Sequence, residues 1–260
     1  MAEKYQENAV VLEQKEIASG IFRLVLQTKE IAAQAKAGQF VSVYSKDPSK
    51  LLPRPISLCE IDKTKGTLTL VYRVTGEHTG TEEFSRLQKD DTVRILGPLG
   101  NGFPVDAADG KKAFLIGGGI GIPPILQLAR EMQADKQMVL GFRDSLFLMD
   151  EFQAEGQVYV ATEDGSAGMK GNVLDAIRAN GLSADIIYAC GPTPMLRALK
   201  AYAEEHGMVC YISMEERMAC GIGACLACVC KTKDKDAHSN VNNKRICKEG
   251  PVFDAREVEL

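Results

Sequence analysis

Four cysteines near the C-terminus constrain this chain more than any other feature. Three lie in Met218-Ala-Cys220-Gly-Ile-Gly-Ala-Cys225-Leu-Ala-Cys228, and Cys247 follows after eighteen intervening residues. C-x₄-C-x₂-C, a long gap and a final C is the plant-type ligand spacing for a [2Fe-2S] cluster. Each iron takes two thiolates, so three cysteines wrap the core closely and the fourth arrives on a returning segment. Gly221 and Gly223 suit that wrapping, which needs φ values a β-carbon forbids. A structural zinc site also uses C-x₂-C spacing, but zinc ribbons pair two dense arms and here only one is dense. Cys230 lies close by and falls outside the pattern.

The remaining composition bounds the function. The chain has 260 residues, 45% of them hydrophobic and 25% charged, with a net charge of −4. That is the profile of a globular protein without the basic face of a nucleic-acid binder. No apolar run is long enough for a membrane span, and the N-terminal residues lack the pattern of a signal peptide. Eight cysteines without a secretion signal point to the reducing cytoplasm, where thiols serve metals or catalysis.

Three textures follow one another. Residues 1 to about 106 carry six short β-rich segments: Ala9–Leu12, Ile21–Leu26, Phe40–Tyr44, Ile56–Ile61, Leu68–Val74 and Thr92–Leu96. Such spacing suggests a small antiparallel barrel, interrupted by one helix near Thr81–Leu87. Residues 107–212 alternate strand and helix, the pattern of a doubly wound parallel sheet. Its clearest helix runs from Pro194 to His206, stopping at Gly207, with Met195, Leu199, Tyr202 and His206 expected on the core face. Residues 213–260 hold the cysteines and little regular pattern, as in a module folded by its metal.

Two further motifs carry chemistry. Gly117-Gly-Gly119-Ile-Gly121-Ile-Pro123-Pro124 sits where a first strand turns into a first helix. There, glycines let the backbone approach a nucleotide diphosphate. The same motif also suits a ligand-free tight turn. Cys190-Gly191-Pro192 ends a later strand, and ligands of open parallel sheets bind at those ends. Cys190 could equally be a small core residue. In the barrel, Arg54 stands before a strand that carries Ser57, and its guanidinium suits a phosphate. Taken alone it reads as a surface arginine.

In this order the motifs resemble the ferredoxin–NADP reductase superfamily. Arg54-Pro-Ile-Ser57, Gly97–Phe103, Thr162–Ser166, Met214–Cys225 and Cys247–Phe253 are more closely similar to the electron-transfer subunits of B-type dihydroorotate dehydrogenase. The resemblance implies a multi-domain chain: a β-barrel FAD domain (1–106), an α/β NAD domain (107–212) and a [2Fe-2S] module (213–260). It implies FAD contacts at Arg54, Pro55, Ile56, Ser57, Val71, Tyr72, Arg73, Gly80 and Thr81. Nicotinamide-nucleotide contacts are implied at Gly118, Gly119, Gly121, Cys190, Gly191 and Pro192, with Ser57 and Cys190 beside the reacting atoms. The cluster ligands are Cys220, Cys225, Cys228 and Cys247. Ile56 stands where the superfamily has a flavin-stacking aromatic.

The implied function is electron transfer from NADH, through FAD and the cluster, to or from the FMN of a dihydroorotate-oxidising catalytic subunit of pyrimidine biosynthesis, in a heterotetramer of two subunits each. The small subunit of an NADPH-linked ferredoxin reductase or sulfhydrogenase shares the three modules. A non-enzymatic iron–sulfur sensor would need neither the barrel nor the nucleotide motifs. Arg143, offset by Asp144, offers no basic cluster for a 2′-phosphate and favours NADH.

Overall fold

The computed structural model describes residues 3–235 and 240–260. The first half closes as expected into a six-stranded antiparallel barrel of order β1-β2-β5-β4-β3-β6. Its strands are β1 (Tyr5–Ala18), β2 (Ile21–Gln27), β3 (Phe40–Val43), β4 (Arg54–Asp62), β5 (Thr67–Arg73) and β6 (Thr92–Leu99). Alternation drives the closure: Leu24 and Leu26, Ile56 and Leu58, Leu68 and Leu70 point inward and are buried. Strand β1 runs well past the apolar stretch at 9–12, because it pairs with β6 over its first half and with β2 over its second. A short helix α1 (Glu30–Gln34) was not signalled by the sequence. The expected helix is α2 (Gly80–Ser85), capped by the Thr79 side chain accepting from the Glu82 N–H.

The second half is a seven-stranded sheet of order β10-β9-β8-β7-β11-β12-β15. Here β7 (Lys112–Gly118), β8 (Asp135–Phe142), β9 (Val158–Thr162), β10 (Met169–Lys170), β11 (Ile186–Cys190) and β12 (Val209–Ser213) run parallel. The helices between them are α3 (Ile122–Glu131), α4 (Met149–Glu155), α5 (Val173–Ala179) and α6 (Thr193–Glu205). Pro123 and Pro124 occupy the first turn of α3, where a missing N–H costs nothing. In α6 Leu196, Leu199 and Ala203 are fully buried, and Met195 and Tyr202 of the expected face are half-buried against the same core. Met195 also touches the crevice glycines, while His206, the one residue of the expected face outside the core, is exposed and stacks on Tyr202. Gly207 ends the helix with φ +65°, as a C′ glycine should.

The C-terminal segment forms a two-stranded ribbon of β13 (Val229–Lys231) and β14 (Asn243–Arg245). Then β15 (Val252–Asp254) returns to the large sheet, antiparallel to β12. The segment is therefore bound to both larger bodies. Asn101 of the barrel bonds to Gly250 and Glu249, and the Met214 N–H donates to Pro251 O.

Helix α3 joins the two large bodies. Arg130 pairs with Glu60 of β4, the Gln127 side chain accepts from the Ile61 N–H, and Glu131 accepts from the Ala37 N–H. Glu60 also pairs with Arg23 at 3.1 Å. Burial alone would raise its carboxyl, but Arg130 and Arg23 outweigh burial and hold it below the ordinary value. A depressed carboxylate stabilises above its unfolded pKa and loses that contribution as pH falls through the folded value. Glu60→Gln should therefore cost about 1–3 kcal/mol at pH 7. In urea titrations the gap to wild type should shrink on acidification below about pH 4. A gap independent of pH would show that the charge contributes nothing.

Candidate functional site

The two glycine motifs meet. Strands β7 and β11 are neighbours with Gly117 opposite Cys190. A β-carbon on Gly121 would lie 2.4 Å from the Cys190 carbonyl oxygen, and one on Gly191 would lie 3.2 Å from the Gly118 backbone. These glycines are required by the contact of turn on turn. Gly119 differs: it has φ +54° and nothing within 4 Å of its β-carbon direction, so it faces open space. Cys190 adjoins this contact of turn on turn and is buried in the core, 1% exposed. Burial, reinforced by the charge of Glu215, pushes its thiol up to about 12. Its side chain packs within the core of the α/β domain.

A second cleft of about 790 Å³ opens between the barrel and the segment following β12. It is bordered by Arg54, Pro55 and Ser57 on one side, and by Ser213, Glu215 and Met218 on the other. This volume is within the range of cofactor sites. Arg54 donates to Leu52 O, and its stem lies against Gly80, where a β-carbon would come within 3.2 Å. The expected pair of Arg54 and Gly80 is thus brought together, with the guanidinium held beside the cleft. Ile56 points into the barrel core and does not border the cleft, so a side chain there has no face to offer a flavin ring.

Other expected contacts lie elsewhere. The Tyr72 ring is buried between Phe22 and Phe84, and its hydroxyl accepts from Gln14, leaving only its backbone for a ligand. The Thr81 hydroxyl accepts from the Thr75 N–H and serves the loop. Val71 packs against the α/β domain. Arg73 borders a different cavity, together with Gly119. Sequence reasoning missed Phe40, which stands opposite Ser57 in the β3–β4 ladder and borders the cleft. It also missed Ser213–Met218, whose one signal was their position between a strand end and the first cysteine.

The cysteines form two pairs. Cys225 is the near neighbour of the Cys220 thiol and Cys228 that of the Cys247 thiol, and all four are free. Among the described residues no three His, Cys, Asp or Glu side chains surround one ion-sized point, as a mononuclear site would need. Two pairs suit a dinuclear core, in which each iron takes two thiolates. The Ala224 and Cys225 N–H groups point at Cys220 Sγ at 3.3 and 3.4 Å. Slight burial would raise that thiol, but these amides and that of Ile222 outweigh it and bring it to about 6. Burial, with the neighbouring Cys228, pushes Cys247 up to about 12. Four close thiols cannot all ionise alone, and a bound cationic core reverses that balance. Gly221 and Gly223 have φ of +67° and +86°, as the wrapping required. Cys230 is a buried residue of β13, near Lys244 O on the paired strand.

Comparison with known proteins decides the family. The profile described as the iron–sulfur cluster binding domain of dihydroorotate dehydrogenase B matches residues 215–259. An oxidoreductase FAD-binding domain matches 8–103, and an oxidoreductase NAD-binding domain 115–201. A dihydroorotate dehydrogenase B (NAD(+)) electron transfer subunit from Bacillus mycoides (strain KBAB4) is 44% identical over 263 residues, covering 98% of this chain and 99% of that protein. One from Geobacillus thermodenitrificans (strain NG80-2) is 44% identical over 262 residues, with the same coverage.

This chain belongs to the family of dihydroorotate dehydrogenase B electron-transfer subunits.

Among solved structures, an NADH-dependent reduced ferredoxin–NADP oxidoreductase, studied for flavin-based electron bifurcation, matches with TM-score 0.85 and 28% identity. That match covers 97% of this chain and 90% of that one. The cytochrome P450 reductase GcoB of Amycolatopsis matches with TM-score 0.66 and 26% identity, over 77% of this chain and 66% of that one. The chain is thus an oxidoreductase subunit that uses FAD, NAD(H) and an iron–sulfur cluster. The higher identity over the full length separates it from the ferredoxin-reductase alternative. No helix among the described residues is long and apolar enough to cross a membrane.

The paired geometry makes the ligand set testable. Serine at Cys220, Cys225, Cys228 or Cys247 should abolish or grossly alter the cluster's EPR signal, whereas Cys230→Ser should leave it intact. Loss of the signal in Cys230→Ser with retention in Cys247→Ser would replace the fourth ligand. Arg54→Ala should weaken FAD binding by about one to two decades, the worth of one charge-assisted hydrogen bond of about 1.5–3 kcal/mol. Titration of apo-protein with FAD measures this, and unchanged affinity would remove Arg54 from the site.

Proposed function

We propose that this chain takes electrons from NADH at the crevice of Gly118–Gly121 and Cys190–Pro192, and passes them through the barrel cleft to the cluster and on to a catalytic subunit. One observation carries the reading: Ser213–Met218 borders the flavin cleft and runs directly into Cys220. FAD bound in the cleft supplies the conversion between the two-electron chemistry of nicotinamide and the one-electron chemistry of a [2Fe-2S] centre.

The chain's own residues hold the parts. Arg54 binds the FAD diphosphate, with Gly80 leaving room for its side chain. Pro55, Ile56 and Ser57 present backbone and a hydroxyl along β4, and Val71 and Tyr72 present backbone along β5. Cys220 and Cys225 bind one iron, Cys228 and Cys247 the other. Cys190 acts by shape, as an uncharged floor under the nicotinamide. Arg143, bonded to Asp144 at 2.8 Å, is not free to bind a 2′-phosphate, which supports NADH.

The partner is an FMN-containing subunit that oxidises dihydroorotate, two of each forming a cytoplasmic heterotetramer. Its docking face is the cluster loop, where Ile222 is 44% and Leu226 61% exposed. Leu226 also holds φ +59°, a conformation that costs a branched side chain about 1–2 kcal/mol. An exposed, strained leucine beside a redox centre suits a partner surface better than water.

The isolated chain, loaded with FAD and cluster, should oxidise NADH with artificial acceptors and show no dihydroorotate activity. Adding the partner should create NAD-dependent dihydroorotate oxidation, and Leu226→Glu should weaken that coupling. Dihydroorotate oxidation by the isolated chain would overturn the reading. Cys190→Ala should slow flavin reduction by NADH in stopped flow with FAD content unchanged. Because the thiol is uncharged, the rate should keep its wild-type pH profile between pH 6 and 9. Equal rates would make Cys190 a core residue only.

A further inference from the structure

Three lysines stand around one cavity beside the cysteine loop. Strand β1 opens opposite Gly97 near the end of β6, which sets Lys4 beside Pro98. The buried Gln39 accepts from the Lys36 N–H and donates to Gly100 O, which fixes Lys36 next to the same turn. Asn101 donates to Glu249 O at 2.8 Å and holds the chain at Lys248 against it. The cavity so formed, of about 270 Å³, has Cys247 and all three lysines in its wall and no carboxylate. Among the described residues the lysines in ion pairs are Lys50, Lys65, Lys112, Lys136 and Lys244, and none of these three. Neighbouring carboxylates are bonded elsewhere: Glu249 to Arg245, Glu3 to the Tyr5 hydroxyl, Glu131 to the Ala37 N–H. The stem of Lys248 lies over Gly223, where a β-carbon would come within 2.7 Å of its Cδ. Lys248 thus joins the cavity to the turn that exposes Ile222 and Leu226.

We propose that Lys4, Lys36 and Lys248 are the basic rim of the partner-docking face and receive an acidic patch on the catalytic subunit. The inference deepens the docking reading of the cluster loop and rests on it. Charge argues for this occupant. The chain as a whole carries −4, so three uncompensated cations in one place depart from its overall field. Like charges gathered around one cavity repel each other, and opposite charges on a second surface offset that repulsion. Interfaces commonly divide the work in this way. The exposed Ile222 and Leu226 supply apolar area at the centre, and a charged rim supplies steering and orientation.

The test mixes the FAD- and cluster-loaded chain with the catalytic subunit and follows the onset of NAD-dependent dihydroorotate oxidation. Onset with wild type establishes the partner reading; its absence would sink that reading and this one with it. The double variant Lys4→Glu with Lys36→Glu is used once its FAD content and EPR signal match wild type. At about 10 mM salt its association rate should fall about ten- to a hundred-fold, while the dissociation rate, read from loss of coupling on dilution, changes little. The gap should close by about 0.5 M salt, where such fields are screened. Lys63→Glu with Lys89→Glu makes the same change in net charge at the ends of β4 and β6 remote from Arg54 and Gly100. That control should alter association less than about three-fold. Inorganic phosphate should slow wild-type assembly no more than chloride at equal ionic strength. Unchanged association in Lys4→Glu with Lys36→Glu would leave the lysines no docking role. An equal loss in the control would reduce the effect to net charge, and a block specific to phosphate would make the cavity a small-anion site. Each of these three results overturns the proposal.

Discussion

The structure depends on helix α3 being held at both ends. Its first turn issues from the glycine motif and packs that turn onto Cys190 and Gly191 at backbone contact distance. Its second half is fastened to the barrel by Arg130–Glu60, Gln127 with the Ile61 N–H, and Glu131 with the Ala37 N–H. A hydride donor and a flavin must meet at close to van der Waals distance, and small misplacements are costly in rate. One short helix sets that distance here, because it belongs to the nucleotide crevice at its start and to the barrel at its end. The ion pairs are partly buried, so they are worth more than surface pairs and less subject to screening.

The cysteine segment is held by the same two bodies. A β-carbon at Gly221 would lie 2.9 Å from the Ser42 hydroxyl of the barrel, while β15 completes the edge of the large sheet next to β12. Ribbon β13–β14 alone is too short to be stable in water. Its order therefore comes from its neighbours and from whatever the four thiols bind. This arrangement brings the cysteine loop beside the cleft of Arg54 and Ser57, as the proposed short-range electron transfer requires.

Much of this was legible in the sequence, for reasons of range. Ligand spacing is local chemistry, so Cys220, Cys225, Cys228 and Cys247 stood out as candidate ligands from their spacing alone. Alternation announced the barrel strands, and Gly207 announced the end of α6. What escaped is non-local. The polar second half of β1 becomes a strand only by pairing with β2, and β13 to β15 exist only through partners distant in the chain. The direction of Ile56, the burial of the Tyr72 ring and the reach of Arg73 into the other cavity are set by which way each strand faces. A motif does not carry that information. His206 left the expected core face of α6: at the helix end it is exposed and stacks on Tyr202.

On the ligand pairs proposed above, the two irons sit in unlike surroundings. Cys220 and Cys225 are at the exposed side, and the Cys220 sulfur is faced by the amides of Ile222, Ala224 and Cys225. Cys228 and Cys247 are buried, with the Cys247 amide directed at Cys228 and that of Gly223 at Cys247. Hydrogen bonds to sulfur and exposure to solvent both stabilise added negative charge, and they are the levers that set the potential of such centres. Both levers act on the outer pair. Added charge is therefore better stabilised toward Cys220 and Cys225, at the loop bearing Ile222 and Leu226, than toward the inner pair packed against the protein. A cluster held on these ligands would thus be more readily reduced on the side of Cys220 and Cys225, which faces the surface proposed for the acceptor.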